Sequence, residues 1–197
     1  EIVRHAFLNS MRIVPEIEMP GHATAAISAY AYLGVFPEKQ KDLEPKTYWG
    51  VHRDIFGPRP RTIGFLQDVL AEVLELFPSE YIHVGGDEAV KNQWQASEEV
   101  QAIIRDKGLK DEEELHSWFI EQMDTFLTKR GRRLIGWDEI LQGGLAPGAT
   151  VMSWRGEQGG IAAANAGHDV VMAPTTHTYF DYYQGPAGSE PLAIGGH

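Results

Sequence analysis

Cysteine is absent from these 197 residues, which excludes disulfide staples and thiolate metal sites. The absence leaves the compartment open, because many exported proteins also lack disulfides. Basic residues are the second scarcity: 17 Lys and Arg stand against 28 Asp and Glu, for a formal net charge of −11. Phosphate backbones and anionic membranes need clustered Lys and Arg. Nucleic acid is therefore excluded as an expected partner, and neutral or cationic ligands are favoured. No apolar run approaches the roughly 18 residues of a membrane span, and residues 1–10 lack the basic-then-apolar layout of a signal peptide. The chain does not open with Met, so a beginning further upstream is expected. What remains is 43% hydrophobic residues, enough to bury a sizeable core in one domain or in part of a larger one.

The most informative stretch is Ile82-His83-Val84-Gly85-Gly86-Asp87-Glu88. Tyr81, Ile82 and Val84 suit a buried strand. Gly85 and Gly86 permit backbone conformations closed to other residues and allow close approach, and two carboxylates follow at once. The segment reads as a strand delivering acids to a cleft, although a solvated turn after a strand has the same composition.

The rest of the chain alternates in the same manner. Residues 1–10 read as the tail of a helix and 11–18 as a strand with Pro15 near its end. Met19-Pro20-Gly21-His22 forms a loop before an Ala-rich helix over 23–33. The connection 34–61, with Trp49, exceeds ordinary loop lengths and is a candidate functional loop. Thr62 is placed to cap a helix whose apolar positions Phe65, Leu66, Val69, Leu70, Val73 and Leu74 recur at helical spacing. Ser97 and Asp111 mark further helix starts, with Asp111 and Glu114 forming a capping-box pattern. After Gly131 come a strand over 134–137, a strand over 150–154, a small helix over 159–166 and a strand over 169–173. Five strands alternating with helices predict a parallel α/β sheet. Polar or aromatic residues follow every strand end, which favours a (β/α)8 barrel of the TIM type over a doubly wound sheet. Only about five βα units are visible, so the expectation is an incomplete barrel: residues 1–197 as a fragment of one catalytic domain, with no second domain.

Adjacent side chains of an extended segment point in different directions, so Asp87 and Glu88 are expected to divide the work. One carboxyl in an aromatic enclosure can act as general acid while its neighbour stays ionised and steadies a cationic intermediate. Glu88 is assigned the first task and Asp87 the second. That division suits glycosidic bond cleavage, with Trp137 and Trp154 as packing surfaces for the apolar faces of a sugar.

Five motifs in order, Val14-Pro15-Glu16-Ile17-Glu18-Met19-Pro20-Gly21-His22, His83-Val84-Gly85-Gly86-Asp87-Glu88, Gly136-Trp137-Asp138-Glu139, Ser153-Trp154 and Tyr179-Phe180-Asp181, resemble the catalytic domain of the β-N-acetylhexosaminidases of glycoside hydrolase family 20. The resemblance implies a retaining mechanism in which the substrate's own 2-acetamido oxygen attacks the anomeric carbon. It assigns proton transfer to Glu88, the acetamido nitrogen to Asp87 and the acetamido oxygen to Tyr179. Trp137 and Trp154 would wall the acetamido pocket, Asp181 would bind sugar hydroxyls, and His22 would sit at the substrate rim. His83 and Glu18 would tune Glu88 through hydrogen bonds. No cofactor and no metal are implied. The expected partners are glycans containing N-acetylglucosamine or N-acetylgalactosamine, and the expected location is secreted, periplasmic or cell-surface. The family's sugar-binding arginine from its first strand, and its tryptophan and glutamate from the last, have no counterpart here. Weakened turnover and self-association through open barrel edges are therefore expected of these residues by themselves.

Asp138 and Glu139 are read as helix-start acids and left outside the site, Glu157 is equally ambiguous, and His116 is read as structural. Three rival readings stand beside the glycosidase. Gly85-Gly86-Asp87-Glu88 also resembles the diguanylate cyclase signature, but Ala89 follows where that signature has Phe. A metal-dependent hydrolase could draw on His22, His83, Asp87, Glu88 and His177, without a supporting His-x-x-x-His spacing. A non-catalytic carbohydrate-binding fragment would need only the aromatic platforms.

Overall fold

The alternation is realised as five parallel strands in the order β1-β2-β3-β4-β5, each paired to the next in sequence. The structure, a computed structural model, describes residues 1–183, 185, 186 and 188–191. The strands are β1 (Glu16–Met19), β2 (Tyr81–Gly85), β3 (Arg133–Trp137), β4 (Thr150–Ser153) and β5 (Val170–Met172). A doubly wound sheet reverses its order at a switch point. Here the order runs monotonically, as it does around a (β/α) barrel.

α1 (Ile2–Leu8) precedes the first strand, α2 (Thr24–Ala29), α3 (Pro60–Leu76), α4 (Asn92–Ala96), α5 (Glu98–Asp106), α6 (Glu112–Thr128) and α7 (Gln158–Asn165) lie in the connections between strands, and α8 (Thr175–Thr178) follows the last. The core lies where α3 and α6 cover the sheet. Leu70, Ile82, Leu115, Phe119, Met123 and Leu127 are wholly buried there. Burying each leucine contributes roughly 1.5–3 kcal/mol relative to exposure. Strand β2 is buried on both faces, with Ile82, His83 and Val84 at 3% exposure or less, as expected of a central parallel strand.

Several boundaries differ from the sequence expectation. The first strand begins at Glu16 rather than Met11. Pro15 has no N–H to add to the ladder, and only its carbonyl joins, accepting from the His83 amide at 2.9 Å. The helix expected over 23–33 stops at Tyr30, whose φ of −137° and ψ of 81° leave the helical region, and a single 3-10 turn (Ala31–Leu33) follows. Thr62 is not a cap. Pro60 occupies the first helical turn, where its missing N–H costs nothing, and Thr62 is buried inside α3. The long connection is pinched at its base, where Arg59 donates to the Gly34 and Val35 carbonyls at 2.7 and 2.9 Å.

Asp111 does cap α6. Its Oδ1 accepts from the Glu113 and Glu114 amides, both at 3.0 Å, while Glu114 reaches back to the Lys110 amide at 2.8 Å. Asp111→Ala orphans two amides and is expected to lower stability by about 1 kcal/mol. Urea denaturation measures this, and an unchanged midpoint would show that the cap contributes nothing.

Candidate active site

The residues that follow the strand ends converge on one cleft of about 340 Å³. It is lined by Glu16 and Glu18 from β1, His22 beyond it, Asp87 and Glu88 beyond β2, Trp137 of β3, Trp154 beyond β4, Tyr179 after α8, and Trp49 from the long connection. A larger groove, about 620 Å³ beside Pro58, Ile63 and Trp118, lies in the outer helical layer. The smaller cleft is the candidate site, because in it acids, an imidazole and aromatic rings face one another.

Glycine explains how the acids come so close. Gly85 and Gly86 adopt φ of 69° and 98°, values that L side chains rarely accept. A Cβ on Gly85 would lie 1.3 Å from Glu18 Oε1, so the bare backbone is what lets that carboxyl in. Glu18 Oε1 then accepts from the Gly86 amide at 3.2 Å. A Cβ on Gly21 would meet the Asp87 carbonyl at 2.9 Å, so the loop carrying His22 rests directly on the backbone of the acid turn. His22 Nε2 lies 3.3 Å from Asp87 Oδ2 and 3.2 Å from Glu88 Oε2. His22 and Glu88 themselves hold positive φ, 47° and 49°. For residues with a Cβ this costs on the order of 1 kcal/mol each and persists where surroundings enforce it.

Charge is distributed unevenly among the acids. Burial, and then the adjacent charge of Asp87, push the Glu18 carboxyl up to about 9. Burial alone would also raise Asp87, but hydrogen bonds from His22 and Glu18 outweigh it and carry Asp87 below its usual range. The proton therefore resides on Glu18 and the charge on Asp87. His22 is raised, chiefly by its hydrogen bond with Asp87. Glu16 is lowered, first by its hydrogen bond with His83 and despite burial. Burial, followed by the charges of Asp87 and Asp181, raises the Tyr179 hydroxyl.

The aromatic walls are held by other acids. Trp137 Nε1 donates to Glu16 Oε1 at 2.8 Å, and Trp154 Nε1 donates to Glu139 Oε2 at 2.9 Å. The two indoles meet nearly edge-on, centroids 6.5 Å apart at 74°, a favourable aromatic arrangement. Arg155 Nε binds Asp138 Oδ1 at 3.0 Å and lies 3.5 Å from Glu139 Oε1.

The cleft brings together His22, Asp87, Glu88, Trp137, Trp154, Tyr179 and Glu18. Two expected contacts are corrected. His83 reaches Glu16 rather than Glu88: its Nδ1 lies 3.2 Å from Glu16 Oε1 and 3.0 Å from the Gly85 nitrogen. Glu18 likewise bonds Gly86 and Asp87, not Glu88. Glu88 instead meets His22, its Oε2 lying 3.2 Å from Nε2. Asp181 is exposed and does not line the cleft. Glu16, Glu139 and Trp49 escaped the sequence reading. Glu139 and Asp138 looked like helix-start acids, and they do open a 3-10 turn, yet both are buried with wall-holding partners. Trp49 carried one signal, its place in an overlong connection. Among the described residues, ligand atoms of His22, Asp87 and Glu88 gather within 4.8 Å of one another, a spacing that could also hold a cation.

Acids walled by indoles at the strand ends of a (β/α) barrel are an arrangement suited to the class of glycoside hydrolases. Residues 1–195 match glycosyl hydrolase family 20, catalytic domain, and the chain belongs to that family. It is 52% identical to a beta-hexosaminidase of Porphyromonas gingivalis, a match covering 100% of this chain and 25% of that protein. The crystal structure of a chitobiase from Flavobacterium johnsoniae superposes with a TM-score of 0.82 at 31% identity, covering 98% of this chain and 31% of that one. An exo beta-N-acetylglucosaminidase from Vibrio harveyi, solved with N-acetylglucosamine, has a TM-score of 0.79 at 30% identity, over 93% of this chain and 29% of that one. The chain thus spans about a quarter to a third of these relatives, and its sheet is part of a (β/α) barrel.

The Glu18 proton gives a testable pH dependence. With a folded value near 9 against an ordinary 4.5, the native state holds a proton that the unfolded state releases between those limits. Unfolding free energy from this group is full below 4.5 and declines as pH rises towards 9. Glu18→Gln, which mimics the protonated form, is expected to flatten the fall in melting temperature between pH 5 and pH 8. A melting temperature equally steep in both proteins would place the proton elsewhere.

Proposed function

We propose that this chain supplies acid–base machinery for removing terminal, non-reducing β-linked N-acetylhexosamine residues, with retention and with the substrate's 2-acetamido oxygen as nucleophile. Residues 1–197 are then part of one catalytic barrel. The observation that carries the reading is a buried carboxylate oxygen of Asp87 left open towards the cleft. Asp87 is kept ionised, and its Oδ1 is buried with no hydrogen-bond partner among the described residues. Such an orphan acceptor is costly unless a ligand donor satisfies it, and an acetamido N–H is a donor of suitable size.

Apart from Asp87, whose open oxygen this reading commits to the acetamido N–H, the cleft offers no free carboxylate among the described residues to act as nucleophile, which supports the substrate-assisted route. Glu18 is neutral, because its carboxyl keeps its proton to about 9, and Glu16 is engaged by the Trp137 indole and by His83. In the first step Glu88 gives its proton to the departing glycosidic oxygen while the acetamido oxygen closes on the anomeric carbon, forming an oxazolinium ion. Asp87 accepts from the acetamido N–H and balances its positive charge. Tyr179 donates to the acetamido oxygen and aligns it, and alignment of a tethered nucleophile is a large part of the gain. In the second step Glu88 takes a proton from water, which opens the ring on the opposite face and restores the β configuration. Trp137 and Trp154 wall the acetamido methyl, His22 marks the rim, and Asp181 reaches sugar hydroxyls from outside the cleft. The N-acetylglucosamine in the Vibrio harveyi structure supports this substrate class. For residues 1–197 by themselves we expect weak turnover and association through the β1 and β5 edges.

The test uses a polypeptide carrying this chain and an aryl β-N-acetylglucosaminide. The first-formed product should be the β anomer by proton NMR, and the corresponding aryl glucoside, without the acetamido group, should not be cleaved. Glu88→Gln should lower kcat by about 10²–10⁴-fold while product binding persists. An α anomer, or ready cleavage of the glucoside, would overturn the mechanism. Ligand binding with no turnover in any polypeptide carrying this chain would favour a purely carbohydrate-binding role.

A further inference from the structure

The turn that carries the two acids is pinned at both ends. At its start the Gly86 amide bonds Glu18 Oε1. At its end Lys91 sends its ammonium down to α6, 3.3 Å from His116 Nδ1 and 3.4 Å from Glu113 Oε2. The Lys91 side chain is only 11% exposed and His116 is wholly buried. Between the pins lie the positive φ values of Gly86 and Glu88, and such backbone survives only where the surroundings over-determine it.

An ammonium has donors and no acceptor. Lys91 therefore makes His116 Nδ1 the acceptor and leaves the ring proton on Nε2. Burial, and then the Lys91 charge, lower His116 to about 3, so the ring is neutral. Its Nε2 is buried without a hydrogen-bond partner among the described residues and lies 3.8 Å from where a side chain on Gly86 would begin. A buried N–H left without an acceptor is costly. Here it stands directly behind the backbone that leads into Asp87, where its positive end favours negative charge.

We propose that Lys91, acting through His116 and Glu113, is a positioning residue for the Asp87–Glu88 turn: it pins the far end of the strained backbone and locks His116 as the Nε2–H tautomer behind Gly86. Its kinetic consequence rests on the hydrolytic reading above, and its tautomeric consequence does not. A misplaced general acid reduces the chemical step more than substrate affinity. Lys91→Met is therefore expected to lower kcat about tenfold to a hundredfold and to move KM by less than about threefold.

Two measurements test this on a polypeptide carrying the chain. In the first, steady-state kinetics of Lys91→Met are compared with wild type, folding being checked by circular dichroism. Wild-type kcat in the folded variant, or a loss confined to KM, would overturn the proposal. In the second, nitrogen-15 NMR reads the His116 ring. Wild type should show a bare Nδ1 and a protonated Nε2, and folded Lys91→Met should show a mixture of tautomers. A protonated Nδ1 in wild type, or identical ring spectra in both proteins, would overturn it. If Lys91→Met does not fold, the wild-type ring spectrum decides. If no polypeptide turns over substrate, the hydrolytic reading fails, and the ring spectra of the two proteins decide the lock independently.

Discussion

A carboxyl on the first strand, Glu18, pressed against a glycine backbone on the second holds this site together. Its oxygen occupies space that any side chain on Gly85 would need, bonds the next amide and shares a proton with Asp87. Parallel pairing of β1 and β2 brings the two strands into register, with Met19 opposite Gly85, and the absent side chain makes the close approach possible. From that position Glu18 joins His22 in keeping Asp87 ionised and holds the start of the turn bearing Glu88.

The cleft is rich in acids, and the structure manages their repulsion by assigning each a partner. Glu18 stays neutral, Glu16 takes an indole and an imidazole, and Glu139 takes the other indole together with Arg155. His22 bridges the remaining two. A net charge of −11 gives no hint of this order. Buried carboxylates are tolerated only when paired or protonated, and here both solutions occur within a few residues of one another. The walls and the acids are consequently one construction. A change at Glu139, which does not line the cleft, acts through the Trp154 ring that it holds.

The sequence was legible where a signal is local. The apolar run at Tyr81, the glycine pair and the two acids announced a strand end with chemistry on it, and the apolar spacing from Phe65 to Leu74 announced α3. Asp111 was readable as a cap because its partners are two and three residues away. Strand β1 was overdrawn by five residues, since side-chain character does not show where Pro15 interrupts the ladder. Thr62 looked like a cap while Pro60 already opened the helix. Glu139 has the local look of a helix-start acid, while its bond to Trp154 spans fifteen residues. Trp49 sits in a segment without periodicity, so only the folded chain brings it to the cleft.

The sequence by itself determined the period of each element, the parallel alternation and the class of residue presented at each strand end. These properties arise from neighbours along the chain. Only the tertiary structure decided which acid carries the proton, which ring each carboxylate holds, and that Lys91 and His116 stand behind the Asp87–Glu88 turn. Those outcomes depend on distances of three to four ångströms between residues on different elements, where burial and charge combine to set protonation and hydrogen bonding.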